Sequence, residues 1–167
     1  MIEIITAADY IAALTAQVSA ARSSIIASLY MARPAYDGDT PSYRALWHAL
    51  AAAPGHTAER KIILNRTTPS NGEGLYNTAA AEQLAAAGWQ IRHPPPPTIA
   101  HEKVWIFDTR HVLIGSSNLA AGQHRRTTNI NLLIDNRELA KRLLSIWRKQ
   151  WTNTPAKPPR FQHEDYP

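Results

Sequence analysis

Apolar residues recur along the chain at two spacings, one helical and one extended. Ala7, Ile11, Leu14, Val18 and Ala21 fall on one helical face behind Thr6 and Asp9, a pair that reads as a helix start. Ser24 to Met31 (SIIASLYM) is a continuous apolar run of strand length and reads as a buried strand. Thr40-Pro41 offers an N-cap and a first-turn proline to a helix carrying Tyr43, Leu46, Trp47 and Leu50, which Pro54-Gly55 stops. Lys61 to Leu64 is a short strand and Asn65 to Gly74 a loop by composition. Leu75 to Ala87 is an alanine-rich helix with Gly88 where a C-terminal cap belongs.

Trp89 to Arg92 is a further short strand, and Pro94 to Pro97 form a stiff extended connector. Val104 to Phe107 and Val112 to Ile114 flank the turn Asp108-Thr109-Arg110, a hairpin by spacing. Asn129 to Ile134 is another strand. Asp135 or Asn136 then caps a last helix with Leu139, Leu143, Ile146 and Trp147 on its apolar side. Alternating strands and helices followed by a hairpin predict a single α/β domain, a mixed sheet with helices on both faces, over residues 1–151. Residues 152–167 turn polar and proline-rich and read as a loosely held tail.

Composition narrows this picture only slightly. The chain has 44% hydrophobic and 19% charged residues, a folding rather than a disordered balance, and its 167 residues suffice for one core. The absence of cysteine excludes disulfides, thiolate metal sites and a cysteine nucleophile. No apolar run is long enough to span a bilayer, and Met1 to Tyr30 lacks the layout of a secretory signal. The expectation is a cytoplasmic protein without stable membrane association. The formal net charge of +5 favours an anionic partner, nucleic acid being the commonest, and is equally compatible with an ordinary solvated basic surface.

Candidate chemistry concentrates in HEKVWIFDTRHVLIGSSN, His101 to Asn118. His101 and Lys103 are two apart, so on a strand they leave from one face. The hairpin returns Gly115, Ser116 and Asn118 beside them, with Ser116 and Asn118 on a shared face if the strand continues that far. Gly115 removes a side chain where a ligand or another backbone approaches. An imidazole, an ammonium, a hydroxyl and an amide together can grip and attack a phosphate.

The spacing His-x-Lys, four residues, Asp, six residues, Gly-Ser-x-Asn resembles the signature of the phospholipase D superfamily. His101, Lys103, Asp108, Gly115, Ser116 and Asn118 match it at every fixed position. At roughly 5% usage per residue type, six such identities by chance are improbable by several orders of magnitude. The resemblance implies an α/β/α sandwich and a metal-independent, cofactor-free reaction. In it the motif histidine attacks phosphorus to form a phosphohistidine, and a second motif histidine protonates the leaving oxygen. Lys103 and Asn118 would steady the negative charge with Ser116 in support, and Asp108 would be structural.

None of His48, His56, His93, His111, His124 and His163 is followed two residues later by lysine, so the chain holds one motif where the chemistry needs two. A twofold homodimer sharing one site is the expected solution. The family usually carries a glutamate about eleven residues beyond the motif asparagine, where it orients the histidine. This chain has Asn129 there. An amide oxygen still accepts a hydrogen bond but stabilises an imidazolium less well than a carboxylate does. The comparable exchange in serine proteases, a documented example, costs about 10⁴ in rate. His124, Arg125 and Arg126 just past the motif are candidates for gripping nucleic-acid phosphates, balanced by the reading of a solvated basic loop.

Arg142, Arg148 and Lys149 read as a solvated helix face, His93 as structural, and Trp89, Trp105, Trp147 and Trp151 as core. The expectation is a nuclease acting on DNA or RNA. Its alternatives are a phospholipid head-group hydrolase or transferase, and a nucleic-acid-binding protein with a weakened site.

Overall fold

A computed structural model describes residues 1–52, 59–66, 73–122 and 127–156, with backbone alone for 73–75. Its elements run β1 (Ile2–Thr6), α1 (Tyr10–Ala20), β2 (Ser24–Leu29), α2 (Pro41–Ala51), β3 (Glu59–Leu64) and α3 (Glu73–Ala86). They continue with β4 (Gln90–Arg92), β5 (Lys103–Phe107), β6 (His111–Gly115), β7 (Ile130–Asp135) and α4 (Arg137–Asn153). The strands form one sheet in the order β1-β7-β6-β5-β2-β3-β4.

The mixed α/β sandwich expected from the sequence is what forms. β2, β3 and β4 pair in parallel, as strands joined through the helices α2 and α3 must, and the other pairs are antiparallel. On one face Leu14, Leu46, Leu84, Trp89, Trp105 and Phe107 close a core beneath α1, α2 and α3. On the other, α4 packs Ala140, Leu144 and Trp147 onto Ile26, Ile106, Val112 and Ile134. No helix among the described residues is long and apolar enough to cross a membrane.

Local signals were kept where capping chemistry is strong. Thr40 caps α2, its Oγ1 accepting from Tyr43 N at 3.4 Å, and Asn136 caps α4, its Oδ1 accepting from Leu139 N at 3.0 Å. Gly88 follows α3 at φ +87°, the left-handed backbone a glycine admits cheaply. His93 is structural, its Nδ1 2.8 Å from Leu64 O, and Trp89, Trp105 and Trp147 are buried while Trp151 is half-buried against Arg92. Arg142, Arg148 and Lys149 are exposed.

Four expectations need correcting. β1 is an edge strand that the sequence pattern hides: only Ile5 is buried, and pairing with β7 rather than local alternation makes it extended. α1 consequently starts at Tyr10, leaving Ala7 outside it, and Thr6 Oγ1 donates to the Asp9 carboxylate at 2.6 Å instead of capping the helix. Glu73 and Gly74 belong to α3, and Pro54-Gly55 and most of the Asn65–Gly74 loop lie outside the described residues, as do residues 157–167 of the tail. The buried stripe of α4 is Ala140, Leu144 and Trp147. Leu139 and Leu143 are half-buried, and Ile146 is 57% exposed. Trp147 sets that rotation by donating from Nε1 to Ala27 O at 2.9 Å, inside the sheet.

The hairpin β5–β6 occupies the middle of the sheet and turns through Asp108 and Thr109, both at φ 52°, with Arg110 N donating to Phe107 O at 2.9 Å. Left-handed turn residues match the twist of paired strands, and aspartate tolerates them better than most. The Asp108 carboxylate ties this turn to the loop before β2. Oδ1 accepts from Ser23 N (2.7 Å), Ser24 N (2.9 Å) and Ser23 Oγ (2.9 Å), and Oδ2 from Arg22 N (3.0 Å). Burial alone would raise this carboxyl. The donors from Ser24, Ser23 and Arg22 outweigh it and hold the group below the usual carboxylate range.

Asp108→Ala strands three amides and should lower stability by about 2–3 kcal/mol in urea unfolding, with Asp108→Asn losing less. Because the folded-state value is depressed, the carboxylate's contribution is complete above the unfolded range near pH 4 and is lost as pH falls through the folded value. Unfolding at pH 3 and pH 7 should therefore show a wild-type acid dependence that is reduced in Asp108→Asn.

Candidate active site

The β5–β6 pairing register fixes where the motif residues stand. Val104 pairs with Ile114, so one step further Lys103 faces Gly115, and Gly115 in turn pairs with Asn131 on β7. Lys103 begins β5 and His101 lies two residues outside it, exposed at the end of the sheet. The two side chains meet. Lys103 Nζ is 3.3 Å from His101 Nε2, 3.4 Å from Nδ1, and donates to His101 O at 2.9 Å. Among the described residues, that ammonium is the imidazole's hydrogen-bonding neighbour. Burial pulls the Lys103 ammonium below its ordinary value, and the adjacent Glu102 carboxylate partly restores it.

Ser116 and Asn129 form a second pair on the neighbouring strand ends. Ser116 Oγ donates to Asn129 Oδ1 at 2.9 Å, while Asn129 Nδ2 donates to Thr127 Oγ1 at 2.7 Å. The contacts of Asn129 therefore order Ser116 rather than the imidazole. β6 ends at Gly115, so the alternation that would put Ser116 and Asn118 on one face does not extend to them; Ser116 is exposed and Asn118 half-buried. Asn118 is held in place by its neighbours. Leu119 N donates to Met31 O at 3.1 Å and Leu119 O accepts from Arg33 N at 2.8 Å, which docks the segment after β6 onto the segment after β2.

Gly115 marks the approach of a backbone. A methyl group there would sit 2.3 Å from Asn131 Oδ1 and 2.5 Å from Ile130 O, so β7 fills the space that a side chain would need. Asp108 stands at the other end of the hairpin, its carboxylate bound to the amides of Arg22, Ser23 and Ser24. His124, Arg125 and Arg126 lie outside the described residues.

Three kinds of residue escaped the sequence reading. Tyr30, at the end of β2, sets its ring 4.6 Å from the His101 ring and 4.9 Å from Lys103 Nζ. Glu102, inside the motif, turns to the α4 side, accepting from Gln150 Nε2 at 3.1 Å and Ser28 Oγ at 3.3 Å. Three buried amides pin the loops of the rim. Asn65 Oδ1 accepts from Ala100 N at 3.0 Å, just before His101. Asn77 accepts from Ala32 N at 2.8 Å and donates to Tyr30 O at 3.0 Å. Asn131 accepts from Ser117 N at 3.1 Å and donates to Ser117 Oγ at 2.9 Å. No sequence motif announces them; buried asparagines become visible only with their partners. Beside His101, on the α4 side, a cavity of about 380 Å³ opens between Val104, Ile114, Leu143 and Ile146.

Gly115→Ala should destabilise the protein by about 2 kcal/mol or more and lower its melting temperature, because the obstructing atoms include a rigid neighbouring backbone. A melting temperature equal to that of the parent would show that β7 can yield.

Comparison with known proteins places this geometry. A family model described as "Cardiolipin synthase, PLD-like domain" matches residues 14–151. A curated protein named phospholipase D from Rickettsia bellii is 31% identical over 99 residues, covering 59% of this chain and 47% of that protein. The chain thus spans about half the length of that relative. Among solved structures, Nuc from Salmonella typhimurium, titled a phospholipase D family member, superposes with a TM-score of 0.76 at 20% identity. It covers 95% of this chain and 99% of that one. NucT from Helicobacter pylori gives 0.73 at 16% identity, covering 92% and 97%. At such identities the structural likeness is one of fold, while the match over 14–151 reaches the motif and most of the chain: it belongs to the phospholipase D-like family.

Proposed function

We propose that this protein is a phosphodiesterase that cleaves DNA or RNA through a phosphohistidine, at a site completed by a second copy of the chain. The observation that carries the reading is the exposed imidazole of His101 with the Lys103 ammonium 3.3 Å from Nε2. A cation at that distance draws a phosphodiester anion to the ring.

His101 Nε2 attacks phosphorus, a P–N bond forms and the P–O bond to the leaving group breaks. The second copy's motif histidine, protonated, gives its proton to the departing oxygen. Water then attacks phosphorus, the P–N bond breaks, and the proton released returns to that second histidine. Lys103 balances charge throughout, and Ser116 and Asn118 are the neutral donors. The family resemblance implies this sequence without a metal. The +5 net charge favours a polyanionic substrate. The name phospholipase D carried by the curated relatives supports a lipid head group as the competing substrate.

The second copy has a surface waiting beside the site. The α4 side of the sheet is covered by one helix, and Ile2, Ile4 and Ile130 remain 67%, 70% and 67% exposed. Pairing of Ile2 with Ile134, Ile4 with Leu132 and Leu132 with Ile114 puts these residues on one face, continuous with the cavity beside His101. An uncharged strip that ends at a half-complete catalytic site fits a twofold partner, which would cover the strip and bring the missing histidine.

Labelled single- and double-stranded DNA and RNA, and phospholipid vesicles, incubated with excess chelator test the reaction. Wild type should release nucleotide products, and His101→Ala should cut at least 10³-fold more slowly while staying folded. Head-group release alone would assign the lipid substrate. Salt-sensitive nucleic-acid binding without turnover would make the protein a binder. For the assembly, sedimentation should give a dimer, and Ile4→Glu with Ile130→Glu should yield a folded, inactive monomer. An active monomer would overturn the shared site.

A further inference from the structure

We infer that Tyr30, a residue outside the motif, is a positioning residue for the site. Its aromatic face holds the Lys103 ammonium charged and against the nucleophilic imidazole. The inference rests on the reading of His101 and Lys103 as the reactive pair.

The geometry is compact. Lys103 Nζ lies 4.9 Å from the centroid of the Tyr30 ring, within the range where an ammonium is drawn to the negative face of an aromatic. The same ring meets the His101 ring at 4.6 Å between centroids and 59° between planes, a tilted contact. One side chain therefore touches both members of the pair, while Lys103 Nζ spans back to His101 O at 2.9 Å. A lysine stem is flexible, and hydrogen bonds to the carbonyl and ring of one exposed residue do not fix where the charge sits. The aromatic face supplies the second constraint.

Tyr30 itself is anchored before any ligand arrives. Its N–H donates to Glu102 O at 3.0 Å, and its carbonyl accepts from the buried Asn77 Nδ2 at 3.0 Å. Asn77 also donates to Asn65 O at 2.9 Å and accepts from Ala32 N at 2.8 Å, so α3 clamps the chain from the Tyr30 carbonyl to Ala32 and ties it to the end of β3. A ring that merely filled space at the rim would not need a backbone fixed from two elements.

The charge argument agrees with the contacts. Among the described residues, the titratable groups against Lys103 are His101 and Glu102 from its own segment and Tyr30 from the end of β2. Burial works against the ammonium, and Glu102 offsets part of that cost from the α4 side, where its carboxylate is occupied by Gln150 and Ser28. The Tyr30 face offsets more, without placing a second negative charge where the substrate phosphate must come. A carboxylate in that position would compete with the phosphate for the lysine; a π face does not.

The test compares Tyr30→Phe with Tyr30→Leu in the full chain, using bis(p-nitrophenyl) phosphate for kinetics and 13Cε-labelled lysine for titration of Lys103. Tyr30→Phe keeps the face and should stay within about twofold of wild type in kcat, with the same Lys103 titration. Tyr30→Leu keeps apolar bulk without the face. Its kcat should fall about tenfold at neutral pH with KM changed less than threefold. The alkaline limb of its rate profile and the Lys103 titration should both move to lower pH. A Lys103 titration that is unchanged or moves upward in Tyr30→Leu overturns the proposal. The titration needs no turnover, so it decides the role of Tyr30 even if wild type fails to cleave any phosphodiester, an outcome that would sink the catalytic reading alone. Should Tyr30→Leu not fold, Tyr30→Met removes the same face with a more adaptable side chain and carries the same expectations.

Discussion

The carboxylate of Asp108 is the constraint on which the rest of the site depends. It gathers donors from Arg22, Ser23 and Ser24 and so bolts the central hairpin to the entry of β2. With that turn fixed, the β5–β6 register is fixed, and a one-residue slip would send every side chain to the opposite face. Lys103 would then leave its place opposite Gly115. The anchor lies five residues from Lys103 along a strand, about 16 Å at roughly 3.3 Å per residue. At that distance, beyond a Debye length of about 8 Å in physiological salt, its negative charge weighs little on a phosphate at the other end. The separation explains how a motif can contain an acid and still present a cationic site.

The rim is built from neutral groups for a related reason. Asn65, Asn77 and Asn131, each 2% exposed or less, hold the segments before His101, around Tyr30 and after Gly115. A buried amide satisfies both donors and acceptors of irregular backbone without the desolvation penalty of a charge. Among the described residues, it also leaves Lys103 without a carboxylate hydrogen-bonded to its ammonium. Glu102 is the acid nearest in sequence, and its hydrogen bonds to Gln150 and Ser28 turn it toward α4.

How much of this the sequence disclosed follows from which interactions are local. Thr40, Asn136 and Gly88 act within one helical turn, and their roles were readable from composition and spacing. The motif was readable because its residues are constrained by chemistry as well as by folding. β1 was not, since its extended form comes from pairing with β7 more than a hundred residues away. The rotation of α4 is hidden for a similar reason: Leu139, Leu143 and Ile146 look apolar together. The stripe that is buried depends on where Trp147 finds the carbonyl of Ala27. Tyr30 and the three asparagines share the difficulty, because their partners lie on other elements.

Asn129 shows how one substitution redistributes roles in such a frame. Where the family resemblance implies an acid against the histidine, this chain has an amide whose oxygen takes the Ser116 hydroxyl and whose nitrogen takes Thr127. The imidazole then has the Lys103 ammonium beside it and the Tyr30 ring against its face. An acid at position 129 would help an imidazolium form as a proton moves onto the ring. The Lys103 ammonium has the opposite charge and instead offers a positive partner to an anion that approaches the ring. In the proposed reaction, that arrangement would hold the substrate anion beside the ring of one subunit. The proton-donating half of the proposed reaction would need a histidine in a different electrostatic setting, and in the proposed dimer two chemically identical chains would acquire different settings once a single phosphate lay between them and one ring had bonded to it.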